Sequence, residues 1–145
     1  MSNQLQILTL GDLIWQNGLE YAVEGIRKAY DSGVNLSYDI FGNGPMLEAV
    51  AFAIHDLHLT DCCTINLPGK IRKGEKSFDI FLAPAVAPAY EFNLDFDNKD
   101  SLHWIVTSIV ADMGLLTINK NISLIPRWDS TAIANVLVRQ YQQRK

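Results

Sequence analysis

The chain predicts an α/β fold: a Rossmann-like three-layer sandwich with a mostly parallel sheet of five or six strands. Three observations carry this. Short apolar runs alternate with stretches of helical periodicity in the order β-α-β-α-β. The first three runs end in glycine turns, at Gly11, at Gly42 to Gly44 and at Gly69. The 145 residues are 48% hydrophobic and 19% charged, enough for one soluble domain with a real core. Residues 1–145 are therefore read as a single domain.

Leu5 to Leu10 is a short buried strand that Gly11 ends. Asn17-Gly18-Leu19 opens a helix whose buried face is Leu19, Ala22, Val23, Ile26, Ala29 and Tyr30. Asp31-Ser32-Gly33 stops it. Tyr38-Asp39-Ile40-Phe41 is the second strand, and Gly42-Asn43-Gly44 turns the chain. Pro45 suits the first position of the next helix, which Leu47, Val50, Ile54 and Leu57 continue. The free N–H groups at that helix start are expected to face the mouth of the turn, where an anion could sit. Cys63 to Leu67 is the third strand and Phe78 to Ala83 the fourth. The connection Pro68 to Ser77 is short for a parallel crossover. Ala85 to Asp100 is a long loop with Glu91, Asp95, Asp97 and Asp100. Ser101 to Met113 has helical spacing in Leu102, Ile105, Val106, Ile109, Val110 and Met113, with Asp100 or Ser101 as cap. Leu115 to Ile118 is a fifth strand and Ile122 to Ile125 a short sixth. Asp129 or Ser130 caps a last helix carrying Ile133, Val136, Leu137 and Tyr141.

A net charge of −4 gives no electrostatic footprint for nucleic acid or an anionic membrane. No segment approaches the roughly 20 apolar residues of a membrane span, so no transmembrane segment is expected. Met-Ser-Asn-Gln shows neither the basic start nor the apolar stretch of a signal peptide. The adjacent Cys62 and Cys63 fit a reducing compartment. A cytoplasmic location is expected.

The succession resembles the C-terminal, nucleotide-sugar-binding domain of GT-B glycosyltransferases of the retaining group 1 type. The matching pieces are Leu8-Thr9-Leu10-Gly11, Asn17 to Ala22, Ile40-Phe41-Gly42-Asn43-Gly44-Pro45, Leu67-Pro68-Gly69, Phe78 to Pro84, Met113 to Ile118 and Ser123 to Asp129. They keep the family's order and span nearly the whole chain. The resemblance implies a donor nucleoside diphosphate sugar, with no further cofactor and no metal. It implies ligand contacts at Gly11, Gly42, Asn43, Gly44, Gly69 and Lys70, with Arg72 and Lys73 adding positive charge. It also implies an Arg after the first strand and a Lys before the first helix, where this chain has Asp12 and Asn17. Both are expected to be exposed and to flank the mouth of the site. The family's Glu-x7-Glu pair is missing: eight residues beyond Glu91 stands Lys99. Thr107 and Ser108 stand where a ribose-binding carboxylate is implied. No catalytic residue is assigned.

Other candidates carry less chemistry. His55 and His58 lack a third metal ligand, and Asp95 to Asp100 lacks the glycine and glutamate of a calcium loop. His103 is expected to pack or face water, and Trp15, Trp104 and Trp128 to serve as core or interface residues. The functional expectation is a glycosyltransferase-like domain that binds a nucleotide sugar. Its activity would need a second, acceptor-binding domain, which a protein partner could supply. The other reading is an inactive, glycosyltransferase-derived binding module. In that reading Phe92, Leu94 and Phe96 pair with another chain.

Overall fold

The structure is a computed structural model that describes residues 3–67, 77–88, 102–111 and 121–144. Among these residues six strands form one sheet: β1 (Leu5–Leu10), β2 (Leu36–Phe41), β3 (Cys63–Asn66), β4 (Ile80–Ala83), β5 (His103–Val106) and β6 (Ile122–Leu124). The order is β3-β2-β1-β4-β5-β6 and every pairing is parallel. The helices are α1 (Leu19–Asp31), α2 (Leu47–Asp56), the single turn α3 (Ser108–Ala111) and α4 (Ser130–Gln143).

The sheet has a core on each side. Alternate strand residues such as Ile7, Tyr38, Ile80 and Ile105 meet α1, α2 and α4 on one face. Leu8, Leu10, Phe81, Trp104 and Val106 meet Leu102 and Val110 on the other. Central strands are thus apolar on both faces, as parallel sheets require. The two long helices touch closely: a Cβ at Gly25 of α1 would stand 2.6 Å from Cγ2 of Ile133 in α4. Lys28 Nζ also donates to Ser130 Oγ and Thr131 Oγ1, both at 2.8 Å. Asp129 caps α4 by accepting from the Ala132 amide at 2.9 Å, and Ile133, Val136, Leu137 and Tyr141 are buried as expected. Two smaller face assignments fail, since Tyr30 is 50% and Leu47 39% exposed.

One element overturns the expectation. His103–Val106 is a strand, not part of a helix, and helical structure begins only at Ser108. Apolar residues on both faces of this inner strand produced a run that also matches helical spacing. The proposed caps, the long acidic loop beyond Pro88 and the Leu115–Ile118 strand lie outside the described residues.

α2 ends in a left-handed residue that is not glycine. His58 sits at φ 56°, while its amide donates to the His55 carbonyl at 3.0 Å and Leu59 donates to Ile54 at 2.9 Å. This is the Schellman closure, which favours glycine at that position. His58→Gly should therefore raise stability by about 0.5–1 kcal/mol. Urea unfolding would check this, and a loss of stability would show that the imidazole itself holds the turn.

Candidate functional site

In open parallel sheets, ligands bind beyond the carboxyl ends of the strands, where the strand order reverses. Here that point lies between β1 and β4, whose successors wind outward in opposite directions. Gly11, Gly42, Asn43 and Gly44 stand on this edge, as the sequence predicts. Gly69 and Lys70 lie outside the described residues, as do Arg72 and Lys73.

The loops after β1 and β2 extend the ladder past the strands. Gly11 donates to Phe41 O at 3.1 Å, Leu13 to Asn43 O at 3.0 Å, and Met46 back to Leu13 O at 2.8 Å. They touch so closely that a Cβ on Gly42 would collide with the Gly11 carbonyl oxygen, and one on Gly44 would meet Leu13 O at 2.6 Å. The glycines are needed for this approach of backbone to backbone.

Two expectations about this turn change. Pro45 does not open α2. It lies in a turn closed by Leu47 N–H to Gly44 O at 3.1 Å, and α2 begins at Leu47. The amides here are also partly engaged: Gly44 N–H donates to Asn43 Oδ1 at 2.8 Å, and those of Met46 and Leu47 are bonded as above. The mouth therefore offers an anion fewer donors than a bare helix start would.

Asp12 is exposed on the edge as expected. Asn17 is not: it is fully buried, and its Nδ2 donates to Asp12 O at 2.5 Å. Asn17 ends a 3₁₀ turn, Trp15–Asn17, and Gly18 follows at φ 69°. A Cβ on Gly18 would run into the Pro84 carbonyl oxygen. Asn17 therefore ties the β1 loop together, and a lysine there would put a charge in a packed interior.

The structure also brings together residues that the sequence reading left apart. The loop after β4 is tied to the 3₁₀ turn by Val86 N–H to Gln16 O at 2.9 Å. Arg127 Nη1 donates to Val86 O at 3.4 Å, and its guanidinium carbon lies 5.1 Å from the Trp128 ring centre. Trp15 and Trp128 are 59% and 56% exposed on this edge, while Trp104 is core. Trp128 holds φ 55°, a costly conformation for a tryptophan. Thr107, at the end of β5, donates from Oγ1 to Ala85 O at 2.9 Å. Beneath the edge Tyr38 and Thr9 share a 2.6 Å bond, and Thr9 donates onward to Leu82 O at 2.6 Å. Burial pushes the Tyr38 phenol well above its usual range, so it stays protonated. Recognising β5 would have placed Thr107 and Ser108 on the edge. No local signal pointed to Arg127.

His103 lies elsewhere, at the other end of β5. It shares a 2.7 Å bond with Ser123 Oγ, and burial and then the Arg139 charge push its pKa down. Among the described residues no cluster of three or more metal-ligating side chains occurs, and no helix is long and apolar enough to cross a membrane.

No protein-family model matches the chain, and no curated protein is similar in sequence. Solved structures are similar in fold. The pneumococcal O-GlcNAc transferase GtfA, in complex with UDP and GlcNAc, superposes with a TM-score of 0.80 at 18% identity over 97% of this chain and 29% of its own. TarM superposes with a TM-score of 0.79 at 14% identity, over 99% of this chain and 29% of its own. The C-terminal domain of LpcC, a group 1 glycosyltransferase of Francisella tularensis, gives 0.70 at 14% identity, over 95% of this chain and 75% of its own. The fold is thus that of the C-terminal domain of GT-B glycosyltransferases. The chain spans less than a third of GtfA and TarM.

Proposed function

We propose that this chain is the donor-binding part of a glycosyltransferase and holds a nucleoside diphosphate sugar at the carboxyl edge of its sheet. The observation that carries the reading is the close-packed pair of loops, Gly11 to Leu13 and Gly42 to Met46, beside the reversal of strand order. The GtfA structure with this fold holds UDP, which supports the same ligand class here. Transfer would then require an acceptor-binding domain, from the same protein or from a partner. Free thiols and nucleotide sugars both suit a cytoplasmic setting.

Asp12 favours the second reading, a binding module derived from such an enzyme. Its carboxylate stands exposed where a diphosphate needs a cation. Calorimetry and thermal shift with UDP, GDP and ADP separate the two. A nucleotide at a hundred times its dissociation constant should stabilise the fold by about 2.7 kcal/mol. Absence of any shift at millimolar nucleotide would sink the donor-binding reading. Asp12→Arg alone should tighten diphosphate binding roughly 3- to 30-fold, because a repulsive charge becomes attractive. Asn17 must be kept, since its side chain holds the loop in place.

A further inference from the structure

Ile125-Pro126-Arg127-Trp128-Asp129 joins β6 to α4, and both ends of the segment are pinned. Ile125 is buried and its N–H continues the ladder onto Val106 O at 2.9 Å, while Asp129 caps the helix. Between them the chain turns, and Trp128 takes a φ of 55° that glycine would adopt without cost. A tryptophan in that conformation points to work for its ring. The exposed indole lies under the Arg127 guanidinium, whose carbon stands 5.1 Å from the ring centre. Arg127 Nη1 also reaches the Val86 carbonyl at 3.4 Å, and Val86 N–H donates to Gln16 O at 2.9 Å. The guanidinium is thereby held against the loop after β4, and Val86 links it to the loop after β1. Those two loops bound the point where the strand order reverses.

The other cations among the described residues are placed elsewhere. Arg27 pairs with Asp31 at 2.8 Å, and Lys28 donates to Ser130 and Thr131. Arg139 and Arg144 lie in the second half of α4, where Arg144 pairs at 2.7 Å with Asp79, just before β4 at the opposite edge of the sheet. Arg127 is exposed, and among the described residues no carboxylate pairs with it. On the donor-binding reading, we propose that Arg127 holds the diphosphate of the nucleotide sugar and supplies the cation that Asp12 and Asn17 do not. A guanidinium presents a planar fork of N–H groups that matches two phosphate oxygens, and the bond to Val86 leaves most of them free. The Trp128 ring fixes the plane of the fork. The charge draws the diphosphate to the β4 side of the mouth and offsets the Asp12 carboxylate.

The test is calorimetry of the full chain with UDP, UMP and uridine. Arg127→Gln should weaken UDP binding roughly 10- to 100-fold, the worth of a charge-assisted bond to phosphate. It should weaken UMP less and leave uridine unchanged. The urea midpoint should stay put, because the side chain is exposed and makes one long bond to a neutral carbonyl. Arg127→Lys, which keeps the charge without the fork, should recover part of the loss. Trp128→Gly relieves the backbone and removes the support, so it should hold or raise stability while weakening UDP about 3-fold. Equal UDP affinity in folded Arg127→Gln and the unaltered protein would overturn the proposal and leave the donor-binding reading standing. An equal loss for uridine and UDP would also overturn it, since the loop rather than the charge would then be at work. If the unaltered protein binds none of the three, the donor-binding reading falls and takes this assignment with it.

Discussion

Gly42→Ala should cost the fold about 3 kcal/mol, at the upper end of what overpacking by one methyl causes. The new Cβ would meet the Gly11 carbonyl oxygen and stand 3.0 Å from its carbon. Neither partner can step aside, because Gly11 N–H is bonded to Phe41 and Gly42 N–H to Asn66 O at 3.0 Å. Relief requires the loops after β1 and β2 to part, which breaks the bonds that shape the mouth of the site. Nucleotide affinity should therefore fall together with stability. Urea unfolding followed by calorimetry measures both. A loss under about 1 kcal/mol would show that the two loops separate easily and that their contact does not shape the site.

Trp104→Ala should cost about 3–5 kcal/mol, the range for removing a large buried aromatic. Trp104 is 1% exposed and its ring centre lies 4.4 Å from that of Phe81 on the neighbouring strand. Trp104→Phe keeps the aromatic contact and should lose much less. The indole is also a reporter. Trp15 and Trp128 are exposed, so loss of the blue-shifted emission should follow Trp104 and track global unfolding. If the alanine variant unfolds at the same denaturant concentration as the parent protein, the assignment of β5 as an inner strand fails.

The first half of the fold is legible because its signals are local and agree. Leu5 to Leu10 is bounded by Gly11, and the α1 stripe from Leu19 to Ala29 repeats at helical spacing. The segment around Trp104 is not legible in the same way. Its strand is buried on both faces, and the residues that mark it as inner belong to β4 and β6, distant in sequence. The glycines of the site could be placed by their turns. The burial of Asn17 could not, because it depends on the loop after β4 closing over Gly18. Arg127 and Trp128 reach the edge for a related reason: Ile125 N–H continues the ladder onto Val106 O at 2.9 Å, a contact between distant segments.

The place of β1 in the middle of the sheet has a consequence for how the chain acquires its structure. Its partner on one side, β2, follows within a single helix, whereas Ile7 pairs on the other side with Ile80, more than seventy residues later. Pairings of such sequence separation delay folding, because the closure entropy is spent before the contacts form. During synthesis, the β1-β2-β3 half can assemble around α1 while Leu8 and Leu10 still lack Phe81 and Trp104 to cover them. A ribosome-bound chain ending before β4 therefore presents an open strand edge beside an apolar face. An open strand edge beside an uncovered apolar face favours self-association, so β4 and β5 protect the chain as well as complete its sheet.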